Sequence, residues 1–481
     1  MAITSGNALS TRRLALILGE SVLLLCVCTL VTSFRDVIDL WARPDGGTLA
    51  DIDWQRFLWR GGVLTVICQI CFMLQDLYDW RVTSNANQTS VKLLESIFYA
   101  AILVGMGYYA IHAGASLIPP EQAAPYTSRP WTSLAALVAV LPVAHFYRVL
   151  FHWIFARWQL HERVLLVGAG SMAHTLVQEI QRLKDPAYEL IGYVSCDPEP
   201  AKEFALPCLG SADQLESIAD KNRASRVVVA LDERRGKLPV IELLNCRLSG
   251  MRVEEAEQLY ERLTGKIAVQ RLRPSYLVFS DGFTQGRVTF SVKRLLDLVL
   301  SIVGLLLALP IGIVTALAIK LESPGPVFYG QTRVGKDGRV FTVYKFRSMR
   351  TDAEKGGPQW AAKNDSRVTR VGQFIRKTRV DEIPQMWNVL KNEMSFVGPR
   401  PERPFFVDEL RKQIPYYMER LIVKPGLTGW AQINYQYGSS VEDALTKLQY
   451  DLWYIKNLSI FVDLLIVLRT IKVIVLRRGA N

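Results

Sequence analysis

The sequence predicts a multi-domain membrane protein with three parts: a four-helix transmembrane bundle, a Rossmann-like α/β domain, and a mainly α C-terminal domain entered through a proline-broken, re-entrant membrane helix. Three observations carry that expectation. Half of the 481 residues are hydrophobic and only 21% are charged, a balance that leans towards a membrane protein with soluble parts. A glycine turn, Gly168-Ala-Gly170, separates an apolar strand-like run from a helical pattern. The formal charge of +12 lies wholly after residue 292: from Lys293 onward there are 29 Lys and Arg against 17 Asp and Glu, while 28 of each precede it.

The bundle, residues 1–157, rests on four apolar stretches at about 14–32, 61–74 with flanks, 96–117 and 131–154. Each is near or just under the ~20 residues that span a bilayer. The first has no small-residue cleavage site and further spans follow it, so it is not a signal peptide. Arg12 and Arg13 precede the first stretch, and the loop after it holds Asp36, Asp39, Asp45, Asp51 and Asp53. Arg81 and Lys92 follow the second, while Arg148 and Arg157 mark the end of the fourth. The positive-inside rule therefore places both ends of the bundle in the cytoplasm. Glu20 and Glu95 sit at helix ends and read as structural. The seven Cys lack zinc-site spacing and read as reduced thiols.

In residues 158–268, "RVLLVGAGSMAHTLVQEIQRL" fits the dinucleotide fingerprint in its GxGxxA form, with Gly168 and Gly170 as the candidate nucleotide-binding positions. The runs "YELIGYVSCD" and "ASRVVVALD" supply further strands for a parallel sheet. The acidic residue expected at a ribose would be Asp197, which comes late, after Ser195-Cys196. That spacing favours a structural or regulatory domain over a working NAD site.

A polar and aromatic linker, 269–292, leads to the membrane element at 293–321. Between Asp297 and Lys320 lie 22 uncharged residues, interrupted by Pro310. Proline removes a backbone hydrogen bond and kinks a helix. Lys293 and Arg294 before the run, and Lys320 with the basic remainder after it, both prefer the cytoplasm. The re-entrant form satisfies both ends.

Residues 322–481 form the basic part, with a positive excess beside a membrane that points to anionic lipid or phosphate-bearing substrates rather than nucleic acid. All five His precede residue 175, so chemistry here falls to carboxylates, cations, hydroxyls and metal ions. Tyr344-Lys345-Phe346-Arg347 alternates aromatic with cation, as a strand with one positive face would. Arg400 stands between Pro399 and Pro401, which suits a preorganised anion clamp. Within "RKTRVDEIPQMWNVL", Pro384 places Asp381 and Glu382 at the start of a helix. Acidic residues there serve equally as dipole caps. Adjacent helical residues point about 100° apart, so the two carboxylates cannot share one task. The chemical alternative to capping is that one attacks phosphorus while the other holds Mg²⁺. The C-terminal "FVDLLIVLRTIKVIVLRRGAN", interrupted by Asp463, Arg469 and Lys472, reads as an interfacial helix with Arg477 and Arg478 towards headgroups.

Taken in order, Lys293-Arg294-x-x-Asp297, the proline-interrupted run, "YKFRSM", "RVDEIPQMWNVLK", "SFVGPRP" and "KPGLTGWAQIN" closely resemble the bacterial polyprenyl-phosphate sugar-1-phosphate transferases that initiate exopolysaccharide and O-antigen synthesis. The resemblance covers residues 293–481. The four spans and α/β domain are similar to its long members, of the undecaprenyl-phosphate glucose or galactose phosphotransferase type. It implies transfer of a hexose-1-phosphate from a UDP-sugar to undecaprenyl phosphate, with release of UMP, at the cytoplasmic face of the bacterial inner membrane. It implies Asp381 as nucleophile, Glu382 as Mg²⁺ ligand, Lys345, Arg376 and Arg400 as phosphate-binding cations, and a re-entrant helix broken at Pro310. Lys293, Arg294 and Asp297 would anchor that hairpin near the lipid phosphate. Leu309 departs from the small or polar residue that family members often carry before the proline.

Two other functions fit parts of the chain. A membrane-tethered nucleotide-sugar dehydratase or oxidoreductase would need Tyr-x-x-x-Lys soon after the glycine turn, and residues 174–265 contain none. A nucleotide-sensing regulator leaves the ordered motifs after Lys293 unexplained. A homodimer is compatible with the layout, and neither the sugar nor the polysaccharide pathway is legible.

Overall fold

A computed structural model describes residues 11–41, 54–75, 77–78, 86–115, 130–157, 162–183, 188–198, 204–272, 276, 282–283, 286–353, 366–435, 438 and 440–475. Asp45, Asp51, Asp53, Arg81, Arg477 and Arg478 of the charge arguments above lie outside them. The chain forms two compact units, Leu9–Val253 and Glu254–Asn481.

The first unit begins with four helices: α1 (Thr11–Trp41), α2 (Trp54–Leu74), α3 (Ala86–Ala115) and α4 (Pro130–Arg157). α1, α3 and α4 are long and apolar enough to cross a membrane, whereas the apolar part of α2 is the shorter Leu58–Leu74. At 21 residues α2 still measures about 31 Å, close to one hydrocarbon thickness. Helix α1 continues to Trp41, so Asp36 and Asp39 belong to a helix and not to the loop expected there. Leu24, Cys28, Leu64, Cys68, Phe72, Leu93, Leu137 and Val140 form the bundle core. Arg148, near the end of α4, is internal: it is 1% exposed and grips Glu20 of α1 through two hydrogen bonds of 2.8 and 2.7 Å. Its Nη1 donates to the Leu77 carbonyl. Burial of either charge alone would be costly, and the pairing answers it.

The α/β domain follows as β1 (Glu162–Val167), α5 (Ser171–Leu183), β2 (Tyr188–Ser195), β3 (Cys208–Ser211), α6 (Leu215–Lys221), β4 (Arg226–Val229), α7 (Val240–Leu248) and β5 (Arg252–Glu255). The strand order is β3-β2-β1-β4-β5, with the β1/β2, β1/β4 and β2/β3 pairs parallel. This is the doubly wound arrangement that the glycine turn predicted. Strands β1 and β4 are buried on both faces, as their unbroken Val and Leu runs require.

The second unit opens with α8 (Ala256–Thr264), earlier than the domain boundary suggested at 268. Ile267 and Val269 already lie in its core, beside Leu448, Leu452, Trp453 and Ile466. Next comes α9 (Arg287–Glu322), which begins before Lys293 and is 36 residues long, about 54 Å along its axis. Pro310 lies inside it, where the proline removes one backbone hydrogen bond without ending the helix.

Beyond it are the hairpin β6 (Phe328–Val334) and β7 (Val340–Phe346), then α10 (Arg370–Lys377), α11 (Gln385–Leu390), β8 (Ser395–Val397), α12 (Pro404–Gln413), β9 (Gly426–Thr428), α13 (Trp430–Asn434), α14 (Val441–Lys456) and α15 (Ile460–Val475). Helix α15 packs inward through Val462, Asp463 and Ile466 while Phe461, Leu464 and Ile471 are exposed. The domain is mainly α, with two small two-stranded sheets, β6/β7 and β8/β9.

Candidate active site

Two local structures converge to make the site. One is the hairpin β6/β7, in which Lys345 pairs across from Tyr329. Asn388 of α11 stitches that strand to the helix beside it, accepting from Tyr344 N at 3.1 Å and donating to the Thr342 carbonyl at 2.7 Å. Phe346 anchors the strand end against Ile319 and Ile375. The other is the stretch after α10. Thr369 caps that helix by accepting from Gly372 N at 2.9 Å. Arg379 then adopts φ 60°, ψ 13°, the left-handed region, and swings the chain into a short 3-10 turn, Val380–Glu382. The acidic pair therefore lies in that turn and not in the first turn of the following helix, which begins at Gln385 after Pro384.

The two carboxylates share a turn and differ sharply in environment. Glu382 Oε1 receives Arg400 Nη2 at 2.7 Å, Lys345 Nζ at 3.3 Å and Arg379 Nη1 at 3.7 Å. Burial alone would raise its pKa, but Arg400, Lys345 and Arg379 together hold it well below the usual carboxylate range. Asp381 makes no hydrogen bond or ion pair among the described residues and is 7% exposed. Burial, followed by the neighbouring Glu382 charge, pushes its pKa up to about 6, with Lys345, Arg400 and Arg379 opposing. A helix cap would bond to backbone N–H groups. Among the described residues neither carboxylate does so.

Of the expected phosphate cations, Lys345 and Arg400 meet the acidic pair and Arg376 does not. Arg376 lies in the last turn of α10, half-buried, with no side-chain bond among the described residues. Arg379 is the third cation on Glu382. The available signal was adjacency: Arg379 is the cation nearest the pair in sequence, but its left-handed turn was invisible there. Arg347, read as part of a positive strand face, is 5% exposed and instead donates to the carbonyls of Ser323 (2.8 Å) and Pro324 (3.0 Å) at the end of α9.

Lys293, Arg294 and Asp297, in the N-terminal third of α9, knit helix to domain. Lys293 Nζ donates to Asp463 at 2.7 Å, the Val397 carbonyl at 2.9 Å and Tyr454 at 3.1 Å. Arg294 donates to the carbonyls of Val389 (2.7 Å) and Leu390 (2.9 Å), where α11 ends. Asp297 accepts from Phe396 N at 2.8 Å and Ser395 Oγ at 3.0 Å. Lys293 is thus paired with a carboxylate, while Arg294 and Asp297 are satisfied by uncharged groups of the junction.

At the glycine turn of the first unit, Gly168 takes φ +85°, and a Cβ on Gly170 would lie 2.6 Å from the Ala230 carbonyl. Both glycines thus serve close packing of β1 and α5 against β4. The N-terminus of α5, where a pyrophosphate would bind, is met by the chain's own Asp232, which accepts from Ser171 N and Ser171 Oγ, each at 2.8 Å. Asp197 is paired with Lys237 at 2.5 Å.

Among the described residues no three His, Cys, Asp or Glu gather as a metal site. The donor set still fits the sparse kind of Mg²⁺ site, in which one or two carboxylates share the ion with substrate phosphates and water. The three cation contacts on Glu382 all fall on Oε1, and Asp381 has both oxygens unengaged by described residues.

A buried carboxylate pair ringed by cations, on a domain bonded to a long apolar helix, defines a membrane-associated enzyme of phosphate chemistry. Residues 288–477 match the family model for bacterial sugar transferases, and residues 74–238 match one for a CoA-binding domain. The chain is 33% identical over 426 residues to UDP-N-acetylgalactosamine-undecaprenyl-phosphate N-acetylgalactosaminephosphotransferase of Aeromonas hydrophila, covering 87% of this chain and 95% of that relative. It is 32% identical over 424 residues to the UDP-glucose:undecaprenyl-phosphate glucose-1-phosphate transferase of Xanthomonas campestris pv. campestris, covering 83% of each. With the Escherichia coli (strain K12) protein of that same description it shares 35% identity over 324 residues, 65% of this chain and 68% of the relative. The chain belongs to the bacterial polyprenyl-phosphate sugar-1-phosphate transferases.

Proposed function

We propose that this protein transfers a sugar-1-phosphate from a UDP-sugar to undecaprenyl phosphate in two steps, with Asp381 as the nucleophile. A carboxylate oxygen of Asp381 attacks the sugar-bearing phosphorus, a new O–P bond forms, and the bond to UMP breaks so that UMP leaves with the electron pair. An oxygen of the lipid phosphate then attacks the same phosphorus, releasing Asp381 as a carboxylate and giving undecaprenyl-diphosphate-sugar. Neither step needs a separate base, because the attacking groups are already anions.

The observation that carries this reading is the contrast within one turn: Asp381 is buried without a partner among the described residues, while Glu382 is held ionised by three cations. An unpaired, desolvated carboxylate is free to attack. Lys345, Arg379 and Arg400, already gathered around Glu382, would grip the donor phosphates and the charge that develops as UMP leaves. Arg376, on the preceding helix, would reach the outer part of the diphosphate. Glu382 would hold Mg²⁺, which when bound supplies neutralisation of the phosphate charge that repels an incoming carboxylate.

Contacts on both sides of Pro310 support a re-entrant seat for α9. Lys293 and Asp297 before the proline, and Ile319 after it, pack on the same domain. A helix crossing the bilayer would separate them onto opposite faces. Entry and exit on one face puts the acidic pair at the membrane surface, where a lipid phosphate is presented. Cytosolic UDP-sugar makes that face the cytoplasmic face of the inner membrane, and the product fits the first membrane step of exopolysaccharide or O-antigen synthesis.

The test is UMP release in detergent with Mg²⁺, undecaprenyl phosphate, and UDP-glucose, UDP-galactose and UDP-N-acetylgalactosamine in turn. The expected result is lipid-dependent UMP release from one donor, its loss in Asp381→Asn, and a phosphosugar mass on the Asp381 peptide when lipid is withheld. Full activity of Asp381→Asn would overturn the assignment.

A further inference from the structure

The segment that carries Arg400 is held in an unusual way. Pro399 and Pro401 restrict φ and provide no N–H, so the segment has few donors of its own. Its carbonyls are nevertheless all engaged, each from a different neighbour. The Pro399 carbonyl accepts from Gly426 N at 2.8 Å and the Glu402 carbonyl from Val334 N at 2.9 Å. The Pro401 carbonyl accepts from Arg333 Nη1 at 3.0 Å. The Arg400 carbonyl accepts from Arg420 Nη2 at 2.9 Å.

Arg420 is itself fixed from below. Its Nε and Nη2 donate to Asp451 Oδ2 at 3.1 and 2.8 Å, and its Nη1 donates to Tyr417 Oη at 2.9 Å. Arg420 is 6% exposed and Asp451 2%. Such a pair is a weak source of net stability, because desolvation of two charges offsets most of their attraction. Apolar side chains of similar size would serve packing at least as well. The apolar alternative lacks one thing, a donor aimed at the backbone of Arg400.

We propose that Arg420, locked by Asp451, is a positioning residue for the transfer reaction: it holds the Arg400 backbone so that the Arg400 guanidinium meets Glu382 and the donor phosphates. The inference rests on the assignment of Arg400 to phosphate binding made above. Arg420 bonds to Asp451, Tyr417 and the Arg400 carbonyl, and to neither Asp381 nor Glu382. Its effect passes through Arg400, and loss of that anchor would let the guanidinium drift by the fraction of an ångström that phosphoryl chemistry does not tolerate.

The experiment is a thermodynamic cycle on the full-length protein in detergent. It uses whichever of the three UDP-sugars gives UMP fastest, and reads kcat, KM and the melting temperature. The paired variant Arg420→Met/Asp451→Leu removes both buried charges together, leaving no unpaired ion. Arg420→Lys keeps a cation for Asp451 but cannot also reach the Arg400 carbonyl, and it covers the case in which the paired variant fails to fold. We expect kcat to fall by about a hundred-fold in either variant while the protein remains folded. Combined with Arg400→Ala, neither should lower the rate further than Arg400→Ala alone, to within about two-fold. A purely structural role would make the losses multiply, and that result, or a wild-type kcat in both variants, overturns the proposal. If Arg400→Ala itself turns over at the wild-type rate, the assignment of Arg400 fails instead and positioning falls with it.

Discussion

Removing residues 254–286 should unfold the catalytic unit, although that segment precedes the region matched by the sugar transferase family. Ile267 and Val269 are each 2% exposed in the core that also holds Trp453 and Leu452. Full burial of such side chains stabilises by about 1.5–3 kcal/mol each, so their loss costs about 3–6 kcal/mol. Trp430 Nε1, which donates to the Gly265 carbonyl at 2.9 Å, would lose its acceptor for a further ~1–3 kcal/mol. Ile267 N also donates to the Gln449 carbonyl. The Glu261 pairs with Lys456 and Asn457 would vanish too, but their removal opens those groups to water and adds little. The total, about 4–9 kcal/mol, is comparable with the whole stability of a domain. For a unit of this size it corresponds to a fall in Tm of at least about 8 °C. Tryptophan-fluorescence melting of fragments 254–481 and 287–481 in one detergent checks this. If the two melt within about 3 °C of each other, the packing argument is wrong and residues 254–286 are a linker.

Three other outcomes follow from the same structure. Arg379→Ala should lower kcat about ten-fold or more in the UMP-release assay, while Arg376→Ala, without a bond to the acidic pair, should do less. In the bundle, Glu20→Leu leaves Arg148 buried without its carboxylate and should destabilise by about 3–5 kcal/mol, whereas Glu20→Leu/Arg148→Met should recover most of that loss in detergent melting. Asp232→Ala removes the acceptor at the start of α5 and should lower stability by about 1 kcal/mol with transfer activity unchanged, as read by melting and UMP release in parallel.

The coarse architecture and the reaction class are legible in the amino-acid sequence, because both rest on patterns local in the chain. Apolar runs of spanning length, a glycine turn between a strand and a helix, and an ordered set of motifs after Lys293 survive without knowledge of distant contacts. The acidic pair was legible for the same reason, as was Arg400 between its prolines. Which charges gather round the acidic pair and which hold the fold is not legible in the chain, since that depends on what burial brings together. Arg347 and Arg148 read as surface or boundary cations and are internal, one at the end of α9 and the other against Glu20. Arg379, in the left-handed conformation that turns the chain, reaches Glu382, while Arg376, three residues earlier, makes no bond to the acidic pair. The start of the catalytic unit at Glu254, and the chain from Asp451 through Arg420 to Arg400, join residues far apart in sequence. No periodicity or spacing encodes such pairings. They follow from the need of each buried carbonyl and charge for a partner, which only the folded chain supplies.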